Sequence, residues 1–276
     1  MARPIPHALT IAGVDPSGGA GVLADLKAFS ALGAYGCAVI AALTAQNTRA
    51  VTGIHLPPTD FVRQQIETLF DDVRIDAAKV GMLGSAAVTR TVADALARRP
   101  VPWLVVDPVM IAKSGDRLLA ADAATMLREA LLPQANLITP NLPEAGALTE
   151  SSPPESVRDM FRLAEKLRRL LPDDHRRYVL LKGGHLPGDE LMDLLFDGDQ
   201  MLELPGQRVA TRNTHGTGCS YSAAITALLP QRGGVALAVR EAHAWLSRAI
   251  AAADQLDITT TPAGHGPVHH FHAWWN

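Results

Sequence analysis

The 276-residue sequence has only two cysteines, Cys37 and Cys219, which excludes a disulfide framework and fits a reducing cytosol. It has no apolar run approaching the ~20 residues of a membrane-spanning helix. The opening "MARPIPHALTIAG" carries one arginine and two prolines but no long apolar core, so it does not read as a signal peptide. Charge is also sparse: 19% of residues are charged, the net charge is −3, and no basic stripe is present. That balance gives no electrostatic support to a nucleic-acid or anionic-membrane partner. No repeat or low-complexity tract occurs, and the loosest stretch, "TESSPPES" at 149–156, is too short to separate domains. These absences leave a cytoplasmic protein with one domain expected over residues 1–276, large enough to bury a core without staples.

Short apolar runs and helix-period segments alternate along the chain. "ALTIAG", "CAVIAAL", "AAKVGML", "WLVVDPVM", "NLITPN" and "YVLLKGG" each end in or near Gly, Pro or Asn. Their continuous hydrophobicity predicts strands covered on both faces, as in a mostly parallel sheet. Between them, "GAGVLADLKAFSALGA" places Val22, Leu26, Phe29 and Leu32 on one helical face with Gly33 as a stop. Ser85 caps a helix that ends before Pro100. "DFVRQQIETLF", "AATMLREALL" and "ESVRDMFRLAEKLRRLL" also have helical periodicity, and Leu191 to Leu204 reads as a hairpin turned at 197–199. Further helices are expected from about Gly216 and from about Val235 to Gln255. This order predicts an α/β fold with a predominantly parallel sheet, whose ligands bind beyond the carboxyl ends of the strands.

Two glycine-rich turns stand at such ends. "AGVDPSGGAG" joins a strand to a helix, but it is neither a P-loop nor a dinucleotide fingerprint, because Gln46 and Asn47 end the second strand where a ribose-binding acid would be needed. It reads equally as a ligand site or a tight turn. "NTHGTGC" is the stronger signal: amides from Gly216 to Cys219 at a helix start would form a nest for negative charge on a transferred phosphoryl group. Cys219 at such a terminus is expected to have a depressed pKa; its plain alternative is a small buried residue. Asp107 closes the strand "WLVVD", and Asn141 and Glu144 lie one helical turn apart. Glu144 could equally be a first-turn acid favoured by the helix dipole. Lys182 follows four largely apolar residues and would meet phosphate as a point charge. The terminal "GHGPVHHFHAWW" gathers His265, His269, His270 and His272, for which ring packing and surface positions are favoured over a metal site.

Taken in order, "AGVDPSGGAGVLADLKAFSALGAYG", "ALTAQNT", "VGML", "VVDPVMIAKSGD", "ITPNLPEA", "LLKGGH", "NTHGTGC" and "GPVHHFHAWW" resemble the bacterial hydroxymethylpyrimidine/phosphomethylpyrimidine kinases of thiamine biosynthesis, in the ribokinase-like superfamily. The resemblance implies a three-layer α/β/α transferase. It would phosphorylate 4-amino-5-hydroxymethyl-2-methylpyrimidine with ATP and magnesium, then its monophosphate. It implies an anion hole at Gly216, Thr217 and Gly218, with Cys219 where sugar-kinase relatives place an aspartate base. Lys182 would lie near the nucleotide with Asp107, Asn141 and Thr214, and Asp107 and Glu144 near the metal. Pyrimidine contacts would come from Gly13, Asp25, Gln46, Met82, Val109 and Cys219. The Gln46 carboxamide suits an aminopyrimidine edge and the Met82 thioether a flat ring. A homodimer is expected because relatives of this fold are often dimers.

The nearest rival is a pyridoxal kinase, whose substrate also carries a hydroxymethyl on a heteroaromatic ring; comparative rates separate the two. A non-catalytic sensor would bind ligand without releasing ADP, and a sugar kinase fits poorly with Cys219 and with the absence of a separate lid.

Overall fold

The computed structural model describes residues 4–110, 121–152, 154–174 and 176–275. The tail of the "VVDPVMIAKSGD" motif, from residue 111 on, lies outside the described residues. The chain runs β1 (His7–Val14), α1 (Gly21–Ala31), β2 (Tyr35–Gln46), β3 (Val51–His55), α2 (Thr59–Asp72), β4 (Ala77–Val80), α3 (Ala86–Arg98) and β5 (Leu104–Val106). It continues through α4 (Ala121–Met126), β6 (Leu137–Ile138), α5 (Leu142–Thr149), α6 (Val157–Arg168), β7 (Tyr178–Leu181), β8 (Glu190–Phe196), β9 (Met201–Gln207), α7 (Thr217–Leu228) and α8 (Val235–Ala251). One nine-stranded sheet has the order β3-β2-β1-β4-β5-β6-β7-β8-β9. The six strands from β2 to β7 in that order are parallel neighbours, and β3, β8 and β9 pair antiparallel.

The apolar runs are continuous because alternate side chains enter two different cores. Leu9, Ile11, Leu104, Val106, Ile138, Val179 and Leu181 pack with α2, α3, α5 and α6. Their neighbours Ala8, Val105, Leu137 and Leu180 pack with α1, α7 and α8. The result is the expected three-layer α/β/α arrangement. Parity then positions the chemistry. Thr10 lies two residues after Ala8, Lys79 between Ala78 and Val80, Asp107 two after Val105, and Lys182 two after Leu180, so all four turn toward the layer that contains α1 and α7.

Local signals account for most boundaries. Ser85 accepts a hydrogen bond from the Val88 amide at the start of α3, and Gly33, at φ 76°, follows the end of α1. Asp197 Oδ1 accepts the amides of Asp199 and Gln200 at the hairpin tip. Two expectations need correction. The helix expected through "AATMLREALL" stays α-helical only to Met126 and widens into a π turn at Leu127–Leu131 before a 3-10 turn containing Pro133. The last helix ends at Ala251, and a separate 3-10 turn covers Ala253–Leu256.

Candidate active site

The two glycine-rich turns meet. Asp15, just past β1, organises the first: its carboxylate accepts the Ser17 amide (2.9 Å) and hydroxyl (2.8 Å), and the Ala20 amide (3.0 Å). His215, 200 residues further on, brings Nε2 to 2.7 Å from the same carboxylate. Burial pushes the Asp15 carboxyl up, but the bonds from His215 and Ser17 outweigh it and hold the group below its ordinary value. The chain at Gly216 has φ 73°, and a side chain there would run into the Gly19 carbonyl. Gly21, at φ 57°, is similarly pressed against the Gly13 carbonyl.

Asp15 and His215 lie inside the two glycine-rich motifs, but neither is among the residues singled out by sequence. Asp15→Asn should lower kcat/KM for the acceptor about 10- to 100-fold, as hydrogen bonds to a buried charge are worth ~1.5–3 kcal/mol. The sign with pH is fixed: a depressed carboxyl contributes stability above its unfolded value of 3.8, and the contribution is lost as pH falls through the folded value. Urea midpoints at pH 7 and pH 3 should therefore converge in the variant relative to the wild type.

α7 opens at Gly216 with no side-chain cap, so its first amides have no partner inside the helix and face outward. Directly beside them lies a charged cluster. Lys182 Nζ donates to Asp107 Oδ1 at 3.0 Å, and a Cβ on Gly218 would sit 3.1 Å from that ammonium. Asp107 also accepts from Thr139 Oγ1 (3.0 Å) and Ser222 Oγ (3.1 Å). Burial pushes Asp107 up, yet Lys182 and Lys79 bring it below its ordinary value. Burial alone would lower Lys182, but Asp107 and Glu144 raise it, so it stays a cation. Asn141 and Glu144 form a capping box at α5: the Glu144 amide donates to Asn141 Oδ1 (2.9 Å) and Glu144 Oε2 accepts the Asn141 amide (2.8 Å). The first-turn reading of Glu144 is therefore realised as a helix cap. Its carboxyl is pushed up to about 7, first by burial and then by Asp107, against the pull of Lys182.

A family description, phosphomethylpyrimidine kinase, matches residues 15–269. The hydroxymethylpyrimidine/phosphomethylpyrimidine kinase of Escherichia coli K12 is 51% identical over 273 residues, covering 98% of each chain. The chain belongs to the phosphomethylpyrimidine kinase family. The enzyme of the same name from Rhizobium meliloti is 49% identical, over 97% of this chain and 98% of its own. Among solved structures, Bacillus subtilis pyridoxal kinase in complex with ADP superposes with a TM-score of 0.87 at 33% identity, covering 99% of this chain and all of that one. A phosphomethylpyrimidine kinase from Clostridium difficile gives 0.78 at 39% identity, over 90% of this chain and all of its own.

Within this family member, the residues expected against the pyrimidine divide. Gly13 and Met82 are neighbours: the Gly13 amide donates to the Met82 carbonyl (2.9 Å), and a Cβ on Gly13 would lie 3.1 Å from Met82 Cε. Gln46 ends β2, with Thr44 Oγ1 3.1 Å from its Oε1. Val109 lies two residues beyond Asp107 and is partly exposed. Asp25 is placed otherwise. It is wholly buried, accepts Lys79 Nζ at 2.7 and 2.8 Å and Thr10 Oγ1 at 2.6 Å, and offers a ligand no exposed surface. Its partner Lys79 was missed by sequence; the only signal was a single cation in the apolar run "AAKVGML".

The ionisation expected of Cys219 is overturned. Its thiol is pushed up to about 11, first by burial, with Asp25 and Asp107 adding to the rise and Lys79 and the Gly21 amide opposing it. Lys79 and the Gly21 amide act in the direction the sequence led one to expect, but burial outweighs them. At neutral pH Cys219 is a thiol.

The terminal histidines act as packing and bracing groups. Trp245 meets the rings of His270 and His272, and Trp275 stacks on Phe271. His270 Nε2 lies 2.9 Å from the Ser220 hydroxyl, and burial pushes His270 down to about 3. Gly266 donates its amide to Asn213 Oδ1 at 2.8 Å, so the chain's end clasps the turn that carries the α7 amides.

Proposed function

We propose that this protein transfers the γ-phosphoryl group of ATP to hydroxymethylpyrimidine and then to its monophosphate, as one kinase unit over residues 1–276. The observation that carries this reading is the placement of the uncapped α7 start beside the Lys182–Asp107 pair, with Gly13, Met82 and Cys219 close by. Phosphoryl transfer asks the protein mainly for positioning and charge stabilisation. The amides of Gly216, Thr217, Gly218 and Cys219 receive the migrating group, and Lys182 meets the triphosphate. Asn141 and Thr214 border the nucleotide, while Gly13, Gln46, Met82 and Val109 form the acceptor pocket.

The oxygen donors Asp107 and Glu144 suit magnesium, a hard cation. Among the described residues, no group of three or more His, Cys, Asp or Glu is placed to hold an ion. When bound, magnesium would neutralise phosphate charge.

The two acceptors differ in what they need. The alcohol must lose a proton, whereas the monophosphate is already an anionic nucleophile. Because Cys219 rests as a thiol, it can take the alcohol proton only through its small thiolate fraction, which grows with pH toward about 11. The alcohol step should therefore accelerate between pH 7 and pH 10 while the phosphate step does not. Cys219→Ala should slow the first step about 100-fold and flatten its pH profile, with less than a threefold effect on the second. Equal losses in both steps would make Cys219 a wall of the pocket.

The activity is tested by incubating protein, ATP, magnesium and hydroxymethylpyrimidine and following mono- and diphosphate by mass. The solved pyridoxal kinases that superpose at 0.87 favour pyridoxal as a secondary acceptor; a higher kcat/KM for pyridoxal than for the pyrimidine would reverse the order. No helix among the described residues is long and apolar enough to cross a membrane. A cytoplasmic homodimer belongs to this reading and is tested by sedimentation.

A further inference from the structure

Three turns of the site meet one short stretch near the end of the chain, residues 264–267. On the acceptor side lies the turn that follows Gln46. Asn47 Oδ1 closes it by accepting the amides of Arg49 (2.9 Å) and Ala50 (3.1 Å), and the Thr48 carbonyl accepts the His265 amide at 3.0 Å. On the phosphate side, the next residue, Gly266, donates its amide to Asn213 Oδ1 (2.8 Å), and its carbonyl accepts the His215 amide (3.0 Å). Pro267 then faces the first glycine loop, with its Cβ 3.2 Å from where a Cβ on Gly19 would stand. Asn213 is pinned from its other end, because its Nδ2 donates to Asp254 Oδ1 at 2.7 Å. The approach is close at both glycines. A Cβ on Gly264 would lie 2.8 Å from Thr259 Cγ2 and 2.9 Å from Thr48 Oγ1, and one on Gly266 would lie 2.5 Å from Asn213 Oδ1.

We propose that residues 264–267 are a positioning segment that sets the spacing between the acceptor and the phosphate cradle, with the task divided residue by residue. His265 holds the acceptor turn through one amide bond, and Gly266 holds the turn that opens α7 through two. Gly264 and Gly266 have no side chain to offer a ligand, so they act through the turns they touch. The inference rests on the proposed function in one respect, that the pyrimidine lies beside Gln46 and the phosphoryl group at the α7 amides. The contacts themselves do not depend on it.

Steady-state kinetics of two neighbouring glycine variants test the division. Gly264→Ala crowds Thr48 and should raise KM for the pyrimidine about three- to tenfold, the worth of one hydrogen bond, with kcat and KM for ATP within about twofold of the parent. Gly266→Ala displaces the Asn213 carboxamide and should lower kcat about tenfold, with KM for the pyrimidine within about twofold. Asn213→Ala removes the Gly266 bond without the crowding and should reproduce that loss, which guards against misfolding of the glycine variant. Hydrogen–deuterium exchange reads the same division without substrate. The 44–50 segment should exchange faster only in Gly264→Ala, and the 211–217 segment only in Gly266→Ala and Asn213→Ala. A merely structural brace would instead give parallel losses in KM and kcat in both glycine variants, with both segments loosened in each. That result would overturn the proposal, as would changes below about twofold throughout. If the parent does not phosphorylate the pyrimidine, the functional reading fails and the exchange pattern alone decides the inference.

Discussion

Gly216→Ala should leave a folded protein with roughly a hundredth to a thousandth of its parent kcat. Loss of a single preorganised donor to a developing anion costs about that much, and this substitution disturbs several. The residue sits at φ 73°, where a side chain adds about 1–2 kcal/mol of strain. The new methyl group would also overlap the Gly19 carbonyl. Relief requires the first turn of α7 to move away from the glycine loop, which withdraws the amides of residues 217–219 from the Lys182 ammonium. The core around Tyr221, Ile225 and Leu228 is untouched, so far-UV circular dichroism should match the parent while ADP release collapses. Retention of more than a tenth of the activity would show that these amides do not receive the phosphoryl group.

Asp107→Asn should be equally damaging, for an electrostatic reason. The buried carboxylate gathers three donors, from Lys182, Thr139 and Ser222. A carboxamide has one accepting oxygen, so its NH₂ end must face at least one of those donors. Lys182 loses its nearest anion and its fixed position. Removing one partner of a buried pair costs ~3–5 kcal/mol, and kcat should fall at least 100-fold with a drop in the urea midpoint. The pH dependence separates charge from shape. Asp107 is held below its ordinary value, so its contribution is present above the unfolded value of 3.8 and lost as pH falls through the folded one. The Asn variant should lack that acid-side loss.

How much of this was readable in the chain depended on whether the cause was local. "WLVVD" and "YVLLK" announced buried strands, and their last charged residues fell at the carboxyl end of the sheet because the apolar run stops there. The capping box at Asn141 and Glu144 and the αL glycine at 216 are encoded within a few residues of where they act. β3 escaped notice: "VTGIH" is short, interrupted by Gly53 and largely exposed at the sheet edge, so it lacks the apolar continuity of the other strands. Lys79 gave only a parity clue, since nothing nearby indicates that Asp25 lies across from it. The Cys219 error has the same origin. The helix start is visible in "THGTGCS", whereas the burial that raises the thiol arises only when the chain folds around it.

The Asp15–His215 bond, together with the pairing of His215 and Pro267, ties the loop after β1 to residues two hundred and more positions further along. During synthesis the amino-terminal strands can pair long before the other half of that clasp leaves the ribosome. A nascent chain stalled before residue 215 would therefore have much of a sheet but no phosphate cradle.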